Sequence, residues 1–370
     1  MRVIAVSKSK QDLRTFDYPA PAITKDNQVR IRTLDVGICG TDREICTYAY
    51  GEPPEGSDYL VLGHESLGEV IEVGADVKNL KVGDLVVPSV RRPCTEAHCK
   101  PCQADRQDYC STAQYQERGI MSLDGYMAEY YVEEEKFLNL VPAELRDVAV
   151  LTEPLTIAEK GLQQVWQVQK RLPWACTELS KRPGHGLKAV VLGAGPIGIL
   201  GTMALIVQGF ETYVYSRSKA PNPKAELVES LGAKYISALE VTPEQLAEQI
   251  GNIDLIYEAV GTAELAFSVL PVLGVNGVFV FTGIPPEGEK VELLGSNLMR
   301  NLVLKNQAVI GTVNADKASF ENAIADLGEF KCRWPKQLEA IITGRHTPDA
   351  YKELLQGKNT GIKNVIQFAK

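Results

Sequence analysis

The chain has 370 residues, 45% hydrophobic and 23% charged, with a formal net charge of -8. This is the balance of an ordinary soluble globular protein and excludes a largely disordered or membrane-embedded chain, while the acidic charge without any Lys/Arg block argues against nucleic acid or an anionic membrane as partner. A single core stops growing at roughly 250–300 residues, so two domains are expected.

Met1-Arg2-Val3-Ile4-Ala5-Val6 runs directly into a strand-like pattern, without the apolar stretch and small-residue cleavage site of a secretory signal. A cytoplasmic protein is expected, whose eight cysteines are thiols or metal ligands rather than disulfides. Residues 1–155 alternate short Val/Ile/Leu-rich runs with Gly and Pro, as in Val29–Thr33, Gly68–Gly74 and Leu85–Pro88, and predict a β-rich domain.

Within it, Cys39 stands in Gly37-Ile38-Cys39-Gly40-Thr41-Asp42 and His64 in Gly63-His64-Glu65, while Glu153 follows in Thr152-Glu153-Pro154. A catalytic zinc takes three protein ligands and keeps one position open. Cys39, His64 and Glu153 supply such a set, with Glu65 as a fourth ligand or a group beside the metal. Taken singly, they also read as a buried thiol, a core imidazole and a helix N-terminal charge. Cys94, Cys99, Cys102 and Cys110 form C-x4-C-x2-C-x7-C within 17 residues, a pattern suited to a closed structural zinc. His98 or Glu96 is the substitute ligand if the longer first gap keeps Cys94 away. Cys46, Cys176 and Cys332 have no partner pattern and read as ordinary thiols.

Glu153–Arg171 has few helix breakers and predicts a helix connecting the domains. From about residue 188 apolar strands alternate with helical stretches, the texture of βαβ units. Strands are expected at Lys188–Leu192, Thr212–Tyr215, Asp254–Glu258 and Gly277–Thr282. The first leads into Gly193-Ala194-Gly195-Pro196-Ile197-Gly198 and then the apolar stretch Ile199–Val207. Strand, glycine turn and helix in this order point to a dinucleotide whose pyrophosphate rests on Gly193, Gly195, Pro196, Ile197 and Gly198 at the helix N-terminus. Gly283, after the last of these strands, is a further cofactor contact. The second strand ends in Tyr215-Ser216-Arg217, lacking the carboxylate that would bond a ribose 2′-hydroxyl, so Ser216 and Arg217 are expected to receive a 2′-phosphate; a solvated basic turn is the alternative. The nucleotide-binding domain spans 156–310, and 311–370 is expected to pack back on the first domain. The resulting fold class is α/β: a β-rich catalytic domain plus a doubly wound parallel sheet.

Taken together, Cys39-Gly40-Thr41-Asp42-Arg43-Glu44-Ile45, Leu62-Gly63-His64-Glu65, Arg91-Arg92, Asp124-Gly125, Glu153-Pro154-Leu155 and Gly193–Gly198 occur in the order found in a known family. The chain resembles the zinc-containing medium-chain dehydrogenases with a GroES-like catalytic domain, and most closely their glucose 1-dehydrogenase branch, best known from archaea. The resemblance implies that Cys39, His64 and Glu153 hold catalytic zinc with Glu65 assisting. It further implies that Thr41 bonds the reacting oxygen, that Glu153, Glu117 and Asn314 contribute to sugar binding, and that Ser216 and Arg217 form the 2′-phosphate site. The chain departs from the family pattern in three respects: the x4 gap in the cysteine loop, Glu44 in place of a proton-relay His, and Val90 and Leu304 where polar sugar contacts align. The expected activity is oxidation of an aldose, D-glucose first, to its lactone with NADP or NAD, by a homo-oligomer (dimer or tetramer). Another zinc polyol or secondary-alcohol dehydrogenase is the nearest alternative, and a non-catalytic nucleotide-binding protein of the same fold the more distant one.

Overall fold

The computed structural model describes residues 1–175, 182–288, 290–358 and 360–369, so Cys176 lies outside the described residues. The chain divides into two compact units, Met1–Thr156 with Asn314–Lys370, and Ile157–Val313.

The first unit is built on a seven-stranded sheet whose hub is the strand Gln28–Gly37. Its first half alternates half-buried and buried residues, as a strand with one face in the core must, and its last five residues are buried throughout. The hub pairs with Glu65–Val73, Tyr130–Glu134 and Lys363–Gln367, all antiparallel. Leu85–Pro88 and Leu138–Val141 extend the sheet beyond Glu65–Val73, and Ile342–His346 extends it beyond Lys363–Gln367. Ile31, Val36, Leu62, Val70, Tyr126, Met127 and Ile366 form the centre of its core. Truncating one of these aliphatic side chains to Ala would cost about 2–5 kcal/mol, the lost transfer energy plus the cavity left behind. Charge is buried in this unit as well: Glu133 and Arg92 are buried, and Arg92 and half-buried Arg118 both donate to the Glu133 carboxylate.

The second unit is a six-stranded sheet, parallel throughout. In spatial order its strands are Lys234–Ser237, Glu211–Ser216, Lys188–Leu192, Leu255–Glu258, Val278–Phe281 and Ala308–Gly311. Counted from Lys188–Leu192, this is the 3-2-1-4-5-6 order of dinucleotide-binding folds, with its switch point between Lys188–Leu192 and Leu255–Glu258. The helix Pro196–Val207 packs on this sheet closely enough that a Cβ on Gly201 would come 2.6 Å from the Tyr257 ring.

Element boundaries shift by a residue or two from the sequence expectations. The second strand gains Glu211 and Ser216, and the connecting helix runs Thr152–Gln169, entered through the 3-10 turn Ala149–Leu151. The division between the two units falls inside that helix. Among the described residues no helix is long and apolar enough to cross a membrane.

Candidate active site

Gly37, at the end of the hub strand, lies opposite Glu65 on one side and Val365 on the other. This register brings together Cys39, the His64–Glu65 corner and Lys363. Cys39 is the N-cap of the helix Gly40–Ile45, and its backbone N–H donates to Asp42 Oδ2 at 2.8 Å. His64 follows Gly63, whose φ of +91° makes the turn into the strand Glu65–Val73. The imidazole Nδ1 lies 3.4 Å from Asp42 Oδ1, and both atoms are buried without another partner. With Nδ1 turned to a carboxylate, Nε2 is the nitrogen left to ligate, an orientation metal-binding histidines commonly have.

The donor atoms of Cys39, His64 and Glu65 lie within 4.8 Å of one another. A thiol, an imidazole and a carboxylate at this spacing fit zinc. Burial alone would lower the His64 pKa, but Asp42 and Cys39 raise it well above its ordinary value. Surroundings that favour a proton there favour a metal cation for the same electrostatic reason. Glu153 is buried in the first turn of the helix Thr152–Gln169, outside the 4.8 Å group. Burial lifts its pKa to about 7, with Glu65 and Asp42 adding to the rise and His64 and Lys363 opposing it. Thr41 is half-buried, its Oγ1 3.8 Å from Cys39 Sγ, whereas Glu44 is exposed.

Glu65 already has a partner. Lys363 Nζ donates to its two oxygens at 2.8 and 2.6 Å and to the Ile38 carbonyl at 3.0 Å. Both side chains are buried, and Gly37 makes the room: a Cβ there would come 2.1 Å from Glu65 Oε2. Burial would lower the Lys363 pKa, but Glu65 and Cys39 carry it above its ordinary value. The sequence reading gave no role to Lys363 or Asp42; the only signal for Asp42 was an acid three residues after Cys39, and for Lys363 there was none.

The residues expected at the sugar also meet. Glu117 Oε1 accepts from Arg91 Nε and from Asn314 Nδ2, each at 3.0 Å. Arg91 lies with its guanidinium 3.7 Å from the centre of the Tyr115 ring and donates to the Asp108 carbonyl. Glu117 and Arg91 are both buried, so Glu117 is held by an ion pair as well as by the Asn314 amide. Val90 belongs to the hydrophobic core and Leu304 is exposed.

Cys94, Cys99, Cys102 and Cys110 converge, their sulfurs within 4.8 Å of one another, so the longer first gap does not keep Cys94 out. His98 and Glu96 instead face each other, with the His98 side chain 76% exposed. The Ser111 hydroxyl and neighbouring backbone amides bring the Cys99 thiol down to about 5, whereas burial raises Cys102 to about 12. Four thiols so placed fit a closed tetrahedral zinc site, which would deprotonate them all. Cys46 is buried, its pKa pushed by that burial to about 12, and Cys332 is exposed.

At the carboxyl edge of the parallel sheet, Gly193 has a φ of +99°. A Cβ on Gly198 would meet the Gly193 carbonyl at 2.1 Å, whereas one on Gly195 would meet nothing within 4 Å. The turn is therefore tight at its two ends and open at Gly195, where a pyrophosphate needs access to the backbone at the N-terminus of the helix Pro196–Val207. Ser216 ends the second strand, and the exposed Arg217 has no ion-pair partner among the described residues. Buried Glu258 is a further organising group: its carboxylate accepts from the backbone N–H of Val260 and Gly261 at 2.7 Å and of Gly283 at 3.0 Å. It thereby ties together two loops beside the switch point.

Comparison with known proteins agrees with this architecture. Residues 25–143 match the model of the alcohol dehydrogenase GroES-like domain, and residues 146–368 match that of the glucose dehydrogenase C-terminus. Glucose 1-dehydrogenase of Methanocella arvoryzae is 39% identical over 369 residues, covering 100% of this chain and 99% of the relative. Glucose 1-dehydrogenase of Thermoproteus tenax is 41% identical, covering 99% of each. The solved structure of Haloferax mediterranei glucose dehydrogenase in complex with NADP, Zn and gluconolactone superposes with a TM-score of 0.88 at 31% identity, covering 100% of both chains. With both halves matched and relatives aligned from end to end, the chain belongs to the glucose dehydrogenase family of medium-chain, zinc-type alcohol dehydrogenases.

Proposed function

We propose that this chain oxidises an aldose, D-glucose first, at C1 to the lactone, with hydride transfer to NADP or NAD. The observation that carries the reading is the convergence of Cys39, His64 and Glu65 in the unit that also holds buried Glu153 and the Glu117–Asn314 pair. The Haloferax mediterranei relative, with NADP, Zn and gluconolactone in its structure, supports the same chemistry.

Cys39, His64 and Glu153 would hold the catalytic zinc, which when bound supplies the Lewis acidity that lowers the pKa of a substrate hydroxyl. Asp42 orients His64 through Nδ1, and Thr41 Oγ1 hydrogen-bonds the reacting hydroxyl and steers its proton. Glu117 and Asn314 present a carboxylate and an amide to ring hydroxyls. Gly193–Gly198 receives the cofactor pyrophosphate, Gly283 borders the same site, and Ser216 with Arg217 grips the 2′-phosphate. The Cys94/Cys99/Cys102/Cys110 loop holds a second zinc whose role is structural.

The working form is a homo-oligomer, a dimer or tetramer. This is supported by the helix Gly295–Leu304, which buries no residue and exposes Met299, Val303 and Leu304, and by the edge strand Ala308–Gly311 beside it in the chain. A cytoplasmic setting is supported by the cysteines, all free among the described residues.

The test is a panel of aldoses, polyols and simple alcohols assayed with both cofactors. A site built to bond hydroxyls rejects analogues lacking them by roughly 10⁴–10⁵-fold. D-Glucose is therefore expected to exceed ethanol by orders of magnitude in kcat/KM, and more efficient oxidation of ethanol or sorbitol than of every aldose would reject the reading.

A further inference from the structure

The cluster around Cys39 contains more carboxylates than a three-ligand site requires. Asp42 Oδ1 faces His64 Nδ1 at 3.4 Å, Glu65 lies beside Cys39 and His64, Glu153 is buried in the same unit, and the ammonium of Lys363 is buried against Glu65. Of the three, Glu65 is the one whose oxygen lies within the 4.8 Å group with Cys39 and His64. By proximity alone it is the carboxylate nearest to ligating a metal there. Yet both of its oxygens are taken by Lys363, whose ammonium is itself fixed by the Ile38 carbonyl.

We propose that Lys363 is a positioning residue that keeps Glu65 from becoming a permanent metal ligand, so that one coordination position stays open for the sugar hydroxyl. The proposal rests on the zinc reading above and deepens it. A catalytic zinc needs that open position, whereas a site that closes with protein ligands becomes structural. A carboxylate paired with an ammonium has much of its charge neutralised and both oxygens occupied, and remains a neighbour of the metal. Released from Lys363, the same carboxylate would be a buried, unpaired anion beside a divalent cation, and ligation would be its cheapest way to recover a partner. The backbone allows no easy retreat, because Glu65 is paired in register with Gly37 and its side chain is packed over that glycine. Lys363 comes from the strand that flanks the hub on its other side, so the hub strand fixes both partners of the clamp.

The experiment follows metal release and cobalt spectra rather than turnover alone. Lys363→Met should slow release of the catalytic-site metal to an excess of chelator by tenfold or more. With cobalt(II) in place of zinc, its visible absorption should fall relative to the parent as the coordination number rises, the contribution of the four-cysteine site being common to both proteins. Steady-state turnover should drop, with D-glucose competing less well for the metal. Lys363→Arg should keep the parent spectrum and release rate, and Lys363→Met with Glu65→Gln should restore both by removing the released ligand. Glu65→Gln alone, in the presence of Lys363, should change metal release by less than about threefold; this variant tests the idea even where Lys363→Met fails to fold. Tenfold faster release from Glu65→Gln, or an unchanged cobalt spectrum in folded Lys363→Met, would overturn the proposal. If the parent chain holds no metal beyond that of the four-cysteine site, the zinc reading itself fails, and that result is distinct from either of these.

Discussion

Asp42 offers no atom to the candidate ligand set, yet it touches two members of it: Oδ2 accepts from the Cys39 backbone and Oδ1 faces His64 Nδ1. Groups of this kind orient a ligand and raise its basicity, and their loss typically costs 10–100-fold in metal affinity or activity. Asp42→Asn keeps the size and one acceptor but removes the charge, so zinc affinity measured by chelator competition should fall by about 10–100-fold. Unchanged affinity would reduce Asp42 to a helix-capping residue. At the proposed 2′-phosphate site, exposed Arg217 follows the end of the second strand with no ion-pair partner among the described residues, and a guanidinium in that state is available to a phosphate. Arg217→Ala should lower kcat/KM for NADP about tenfold or more, the loss of a charge-assisted hydrogen-bonded pair, with little change for NAD. A constant NADP/NAD ratio would show that this turn does not read the 2′ position.

At the scale of single strands, the neighbours Glu133 and Glu134 show how environment sets the worth of a charge. Glu134 pairs with Lys25, whose side chain is 63% exposed, and such pairs contribute little. Glu133 is buried between Arg92 and Arg118. Burial alone would raise its pKa, but the two guanidiniums carry it below the ordinary value of 4.5. A depressed folded-state pKa stabilises the fold above the unfolded pKa, and that stabilisation is lost as pH falls through the lower, folded value. Acid unfolding should therefore steepen below about pH 4.5. Glu133→Gln should remove that part of the dependence and cost about 3–5 kcal/mol at neutral pH, because buried Arg92 and half-buried Arg118 lose their counter-charge. Denaturant unfolding across pH checks both, and a loss no larger than that of Glu134→Gln would place Glu133 with the surface pairs. On residue type alone Glu133 and Glu134 are indistinguishable, two acids at the end of the strand Tyr130–Glu134. The same limit explains what was legible in the site. Cys39, His64 and the four-cysteine loop announce themselves because metal chemistry restricts residue type and short spacing. The glycine turn does so because φ and close approach admit only Gly. Lys363 does not, since 298 residues separate it from Glu65 and only the pairing of their strands with Gln28–Gly37 joins them. Glu258 is hidden for a related reason: its partners are backbone amides, which leave no trace in residue type.

For the whole molecule, the apolar side chains left outside are as informative as those within. Leu294, Met299, Val303 and Leu304 are 75, 69, 66 and 64% exposed and lie on or beside a single helix. A cluster of this kind is a normal mark of a subunit interface. Val303→Glu should therefore shift the sedimentation of the protein toward a smaller species while leaving its circular dichroism unchanged, and an unaltered mass would remove this helix from the interface. The division of the chain has a consequence of another kind. The parallel-sheet unit, Ile157–Val313, is one uninterrupted stretch, whereas the other unit is assembled from residues on both sides of it. During synthesis the nucleotide-binding fold has every strand it needs before Asn314 and Lys363 have been made. At about 5–20 residues per second, roughly 10–40 s pass between the translation of Ile157 and that of Lys363. Throughout that interval Glu65 lacks its ammonium, and until Asn314 is made Glu117 lacks its amide partner, so a metal ion arriving early meets a carboxylate with nothing to hold it back. Cys39, His64 and Glu153 are all translated before Ile157, whereas the Glu65–Lys363 clamp is among the last parts of the protein to exist, completed only after the whole of the parallel-sheet unit has been synthesised.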